Sequence, residues 1–134
     1  MTSAPHPLPA AVGRTERALS AVLLAALEGT LVAGSDEWVA LNALAGGPDD
    51  PDAAVRTALR DAPDRGRATL GALRGKGLVD GDGRLTDDGR AAVAQVRSRV
   101  APATHRLVEG LPEADVATTV RVLDAVRERA ASAS

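Results

Sequence analysis

The chain contains no cysteine, which excludes disulfides, thiolate metal centres, a cysteine nucleophile and thiol-based redox sensing. It also lacks phenylalanine, tyrosine and isoleucine, and Trp38 is its single tryptophan. Aromatic residues favour strands whereas Ala and Leu favour helices, so this apolar content points to helices before any periodicity is considered. No apolar run approaches the roughly 18 residues needed to cross a bilayer. Met1 to Gly13 has neither a basic n-region nor an apolar h-region, so no signal peptide is expected. A cytoplasmic protein with no membrane partner is the expectation. The histidines are only two, His6 between prolines and His105 further on. No glycine-rich loop follows a real strand, Gly81-Asp82-Gly83 has the pattern of a turn, and the carboxylates gather at helix starts where capping explains them. No catalytic constellation, no cofactor and no metal site is expected, and the chain is not read as an enzyme.

At 134 residues the chain fits one domain, and 45% hydrophobic with 25% charged residues is ordinary for a globular one. The net charge of −2 argues against a uniformly basic nucleic-acid-binding surface. Its distribution is uneven. Arg65, Arg67, Arg74 and Lys76 stand against one acid, Asp64, between positions 64 and 76. The stretch before it, 49–63, leans the other way, with Asp49, Asp50, Asp52 and Asp61 against Arg56 and Arg60. Any electrostatic docking must therefore be local.

Residues 1–13 have little to pack and are read as a disordered arm, leaving 14–134 as a single domain. Leu19, Val22, Leu23, Ala26, Leu27 and Leu31 recur at helical spacing and predict a first helix over 14–32. A second is expected over 36–45, capped by Ser35 or Asp36. Asp50-Pro51-Asp52 is a helix start signal for the third, which should stop near Ala62-Pro63. A fourth, over 64–74, carries Leu70 and Leu73. Leu78-Val79 and Arg84-Leu85 flank a Gly/Asp turn and predict a tight hairpin. Thr86 should cap a long helix that Pro102 kinks or divides near Ala101. Gly110-Leu111-Pro112-Glu113 opens a last helix bearing Val116, Val120, Leu123 and Val126, with the final residues frayed.

This order of elements, with Leu73-Arg74-Gly75-Lys76-Gly77-Leu78-Val79 and then Leu85-Thr86-Asp87-Asp88-Gly89-Arg90, resembles the MarR family of winged-helix transcription regulators. The resemblance runs from about Arg14 to Arg129. It implies an all-α fold relieved only by a short wing hairpin: a winged helix-turn-helix over about 36–86, and dimerisation helices over about 14–32 and 87–130. It implies a homodimer, a repressor by expectation, on a pseudo-palindromic site in double-stranded DNA. Carried onto this chain, it puts Arg65 and Arg67 at the front of the recognition helix, near base edges, with Thr69 on the same helix. Arg74, Lys76 and Arg84 become phosphate contacts. Leu19, Leu23, Leu107, Val116, Val120 and Leu123 become the dimer interface.

The blander readings stand beside these. The basic cluster can be a solvated face with local ion pairs to Asp61 or Asp64. Trp38 is expected in the core, its alternative being a pocket for a small-molecule effector. His105 is expected in surface or interface packing, with the same pocket as its alternative. The hairpin turn carries Asp80 and Asp82, and Gly66 and Gly71 lie in the fourth helix. These features favour a second hypothesis, a MarR-like interaction dimer that has lost specific DNA binding.

Overall fold

The computed structural model of the chain describes residues 4–60 and 63–133. Among them are six helices: α1 Pro7–Leu27, α2 Ser35–Ala45, α3 Pro51–Ala58, α4 Pro63–Gly75, α5 Asp87–Val108 and α6 Glu113–Ala133. Strands are absent among the described residues, and a single antiparallel bridge pairs Val79 with Leu85. The predominance of helix agrees with the composition. The chain divides into two compact units, Met1–Val100 and Ala101–Ser134.

Several helix ends follow from local chemistry. Asp50 caps α3 by accepting a hydrogen bond from the Ala53 amide at 3.1 Å, with Pro51 at the first helical position. Thr86 caps α5 by accepting from the Gly89 amide at 3.0 Å. Its hydroxyl also donates to the Gly77 carbonyl at 2.6 Å, so one side chain fastens the hairpin to the helix. Gly77 has φ +75, a conformation that disfavours any side chain, while the space around it is open. The need for glycine at Gly77 is therefore a matter of backbone conformation. The crowded glycine is Gly89, where a Cβ would strike the Leu78 carbonyl oxygen.

Other ends differ from the sequence expectation. α1 begins at Pro7 instead of Arg14, because His6 Nδ1 accepts from the Leu8 amide at 3.1 Å and Pro7 starts the helix well. The expected arm is thus helical from Pro7 to Gly13, and Met1–Ser3 lie outside the described residues. α1 also ends earlier, at Leu27, with Gly29 in a left-handed turn. Neither Ser35 nor Asp36 caps α2; Gly34 holds the cap position without a side-chain bond, and Asp36 turns elsewhere. α5 runs through Pro102 undivided, although the unit boundary falls between Val100 and Ala101. α6 is helical to Ala133 instead of fraying from Ala130. α3 ends at Ala58, with Leu59 at its C-cap, short of the expected stop near Ala62-Pro63.

The first unit holds one core. Leu41, Val55, Leu73, Leu78 and Val96 are completely buried and bring α2, α3, α4, the hairpin and α5 together. Each such side chain contributes roughly 1.5–3 kcal/mol through burial. Leu27 and Val32 seal the core from the end of α1 and the turn after it. Arg99 on α5 donates to the Ala26 and Glu28 carbonyls at 3.3 and 2.6 Å, satisfying oxygens that the end of α1 leaves open. α2 packs on both α3 and α4, and α1 packs on α2. In the second unit α6 buries no residue, and Leu107, Leu111, Val120, Val122 and Val126 are exposed.

Candidate nucleic-acid interface

α4 is the helix on which most of the expected contacts lie. Its inward side is set by Leu70 and Leu73, which pack in the core, and by Gly66, which lies against Val55 and Arg56 of α3. Asp64, Arg67, Ala68, Gly71, Ala72 and Gly75 remain exposed. The outward surface of this helix therefore carries the exposed arginines Arg65, Arg67 and Arg74 among small residues. Arg67 is 80% exposed, and its nearest acid is Asp64 one turn earlier at 3.9 Å.

The other expected contacts are spoken for to different degrees. Arg65 makes a two-pronged pair with Asp36 in the first turn of α2, Nε to Oδ2 at 2.7 Å and Nη2 to Oδ1 at 2.5 Å. The Arg65 guanidinium holds the Asp36 carboxyl below its ordinary range, and Asp36 raises Arg65 in turn. Lys76 Nζ donates to Glu37 Oε1 at 2.6 Å and to the Leu31 carbonyl at 2.9 Å, and this pair is largely buried. Thr69 is buried and donates to the Arg65 carbonyl of its own helix, which removes it from an outer surface. Arg74 Nε donates to the Asp80 carbonyl at 3.1 Å, and Arg84 donates to the Pro48 carbonyl at 3.2 Å. These two bonds go to neutral oxygens and leave each guanidinium further N–H groups for a phosphate.

Ion pairing with Asp61 lies outside the described residues, and Asp64 is a distant partner to Arg67 only. The strong pairs run to Asp36 and Glu37, about thirty and forty positions away along the chain. Sequence spacing reveals helical neighbours three or four apart; it cannot reveal a pair made by packing one helix across another.

A recess of about 440 Å³ between α3 and α4 is lined by Arg56, Arg67 and Arg74 together with Asp50 and Asp52. Arg56 was not among the expected contacts. It stands in the stretch of net negative charge, which hid it. The available signal was its position on α3, the helix that packs against α4 at Gly66. The hairpin beside this region closes tightly: the Asp80 carboxylate accepts from the Asp82 and Arg84 amides at 2.9 and 3.0 Å. That bonding orders the turn, and the carboxylates of Asp80 and Asp82 keep it acidic.

No protein-family model matches the chain, and no curated protein matches it significantly.

Trp38 is half-buried and packs against the core of the first unit. His105 belongs to the second unit, is exposed, and lines a recess at the α5–α6 turn with Val108, Leu111 and Val116. Of the expected interface residues, Leu19, Leu107, Val120 and Leu123 are exposed and Val116 is half-buried. Leu23 packs against the core of its own chain. No group of three His, Asp or Glu side chains among the described residues could hold a metal ion. No helix among them is long and apolar enough to cross a membrane.

Proposed function

We propose that the chain is a homodimeric winged helix-turn-helix regulator of the MarR type that binds double-stranded DNA. α3 and α4 supply the helix-turn-helix, residues 78–86 a short wing, and α1, α5 and α6 the dimer helices. The observation that carries this reading is the trio Arg56, Arg67 and Arg74 along the α3–α4 recess, with no close acid pair on any of the three among the described residues. Arg67 is the base-proximal residue, and Arg56 and Arg74 take phosphates. Arg65 and Lys76 serve the fold, holding α4 to the start of α2.

The test is fluorescence anisotropy with DNA from upstream of the chain's own gene, at low and moderate salt, against scrambled competitor. The two phosphate contacts per protomer, from Arg56 and Arg74, correspond to a log–log salt slope of about −1.8 per protomer. Arg67→Ala is expected to weaken specific binding by about 1–3 kcal/mol. Unchanged affinity of this variant removes Arg67 from the base edges.

A second reading is favoured by the pairing of Arg65 with Asp36 and of Lys76 with Glu37, by the acids within the recess, and by the bare outer surface at Ala68, Gly71 and Ala72. In it the dimer is an interaction module that does not read DNA sequence. Binding to upstream DNA no tighter than to scrambled DNA, with the dimer intact, selects that reading.

A further inference from the structure

Asp36 and Glu37 follow one another in the first turn of α2, and each grips α4 at a different end. Asp36 takes Arg65 in the first turn of α4, and Glu37 takes Lys76 just beyond its last. The two pairs differ in their surroundings. The Asp36–Arg65 pair is open to solvent, which screens it. The Lys76 and Glu37 side chains are only 29% and 13% exposed, the most covered of the ion pairs among the described residues.

The covered pair holds more than two residues. Glu37 Oε1 accepts from Lys76 Nζ at 2.6 Å and from the Ala33 amide at 3.0 Å. It thus reaches back over the start of its own helix, where Gly34 offers no side-chain cap. Lys76 Nζ also donates to the Leu31 carbonyl at 2.9 Å. Leu31 and Ala33 belong to the turn joining α1 to α2, and Val32 between them is sealed in the core. At its other side Lys76 stands in the turn that ends α4. There the Gly77 amide donates to the Arg74 carbonyl and the Leu78 amide to the Leu73 carbonyl, each at 3.0 Å. Lys76 is also the single lysine among sixteen basic residues. A compact ammonium with diverging donors suits oxygens from two separate segments, whereas a guanidinium presents its donors in one plane.

We infer that the Lys76–Glu37 pair is a latch coupling the α1–α2 turn to the exit of α4, so that loosening either segment loosens the other. Neutralising one partner leaves the other covered and uncompensated, and both segments lose a tether at once. Such coupling is reciprocal. The latch stands on bonds within the first unit and is independent of DNA binding. Where the regulator reading holds, it makes the end of α1 a control point for the position of α4.

Native-state amide hydrogen exchange of the full chain, followed by NMR, tests it through amides that the substituted side chain does not touch. Lys76→Met should lower the protection of the Ala33 amide, whose own acceptor is unchanged, by at least about tenfold, the scale of a hydrogen bond to a charged group. Glu37→Gln should lower the protection of the Gly77 and Leu78 amides, whose acceptors lie within α4, by about the same factor. The Ala53 amide, held by the Asp50 cap, should stay within about twofold of its native protection in both variants. Unchanged protection of Ala33 in Lys76→Met, or of Gly77 and Leu78 in Glu37→Gln, overturns the inference. An equal loss at Ala53 overturns it as well, because it marks general destabilisation in place of coupling. If Lys76→Met loses its helical circular dichroism, Lys76→Gln is measured in its place under the same expectation.

Discussion

The two units of this protein use similar apolar residues in opposite ways. In the first, fourteen hydrophobic side chains among the described residues are buried and organise helices from different parts of the chain around one centre. In the second, valines and leucines of equal hydrophobicity lie exposed along α6 and the turn before it, and α6 buries none. Helical periodicity is present in both. What separates them is how much of the apolar surface is buried within the unit itself. A long helix with an uncovered apolar stripe gains little stability in isolation, so the second unit has the character of an association surface. This contrast supports the homodimer proposed above, with Val116, Val120 and Leu123 at its centre.

Truncation should sharpen the contrast most strongly in the first unit. Leu73→Ala removes a completely buried side chain and is expected to cost about 2–5 kcal/mol, measured by urea denaturation. A cost below about 1 kcal/mol would be the value of an ordinary surface site and would break the comparison.

Val120→Arg acts on the second unit. It is expected to halve the sedimenting mass while the first unit keeps its helical signal. A variant that sediments as a folded dimer excludes this stretch of α6 from the interface.

The smallest effect belongs to the Asp36–Arg65 pair at the edge of the first unit. Because the folded state lowers the Asp36 pKa, the pair contributes stability above the unfolded carboxyl value. That contribution is lost as pH falls through the lower, folded value. Asp36→Asn should therefore flatten a small part of the acid limb of the stability curve, below about pH 4. It should also free Arg65, so DNA affinity at low salt should rise and the salt slope should steepen by about one. A steepened acid limb excludes the stabilising sign, and an unchanged slope shows that Arg65 lies away from the phosphates even when unpaired.

Much of this was legible locally. Asp50-Pro51 and Thr86-Asp87 announced their helices because capping is decided within one turn. The short hairpin was equally plain, since a Gly/Asp turn between two apolar pairs has few other uses. The start of α1 was missed because His6 and two prolines resemble a disordered arm in composition, while one imidazole acceptor suffices to begin a helix. The candidate interface was legible only in part. Arg67 is exposed as expected, but Thr69 faces inward, and Arg65 and Lys76 meet acids on α2 that no local spacing indicates.

By itself, then, the sequence determined the helices, their principal caps, the hairpin and the apolar stripes, because these depend on interactions between residues close together along the chain. Only the tertiary structure decided which arginines remain available. It joined Arg56 to Arg67 and Arg74, and locked Arg65 and Lys76 to α2. A guanidinium's availability depends on the charges that packing brings within a few ångströms, and that distance is independent of separation along the chain.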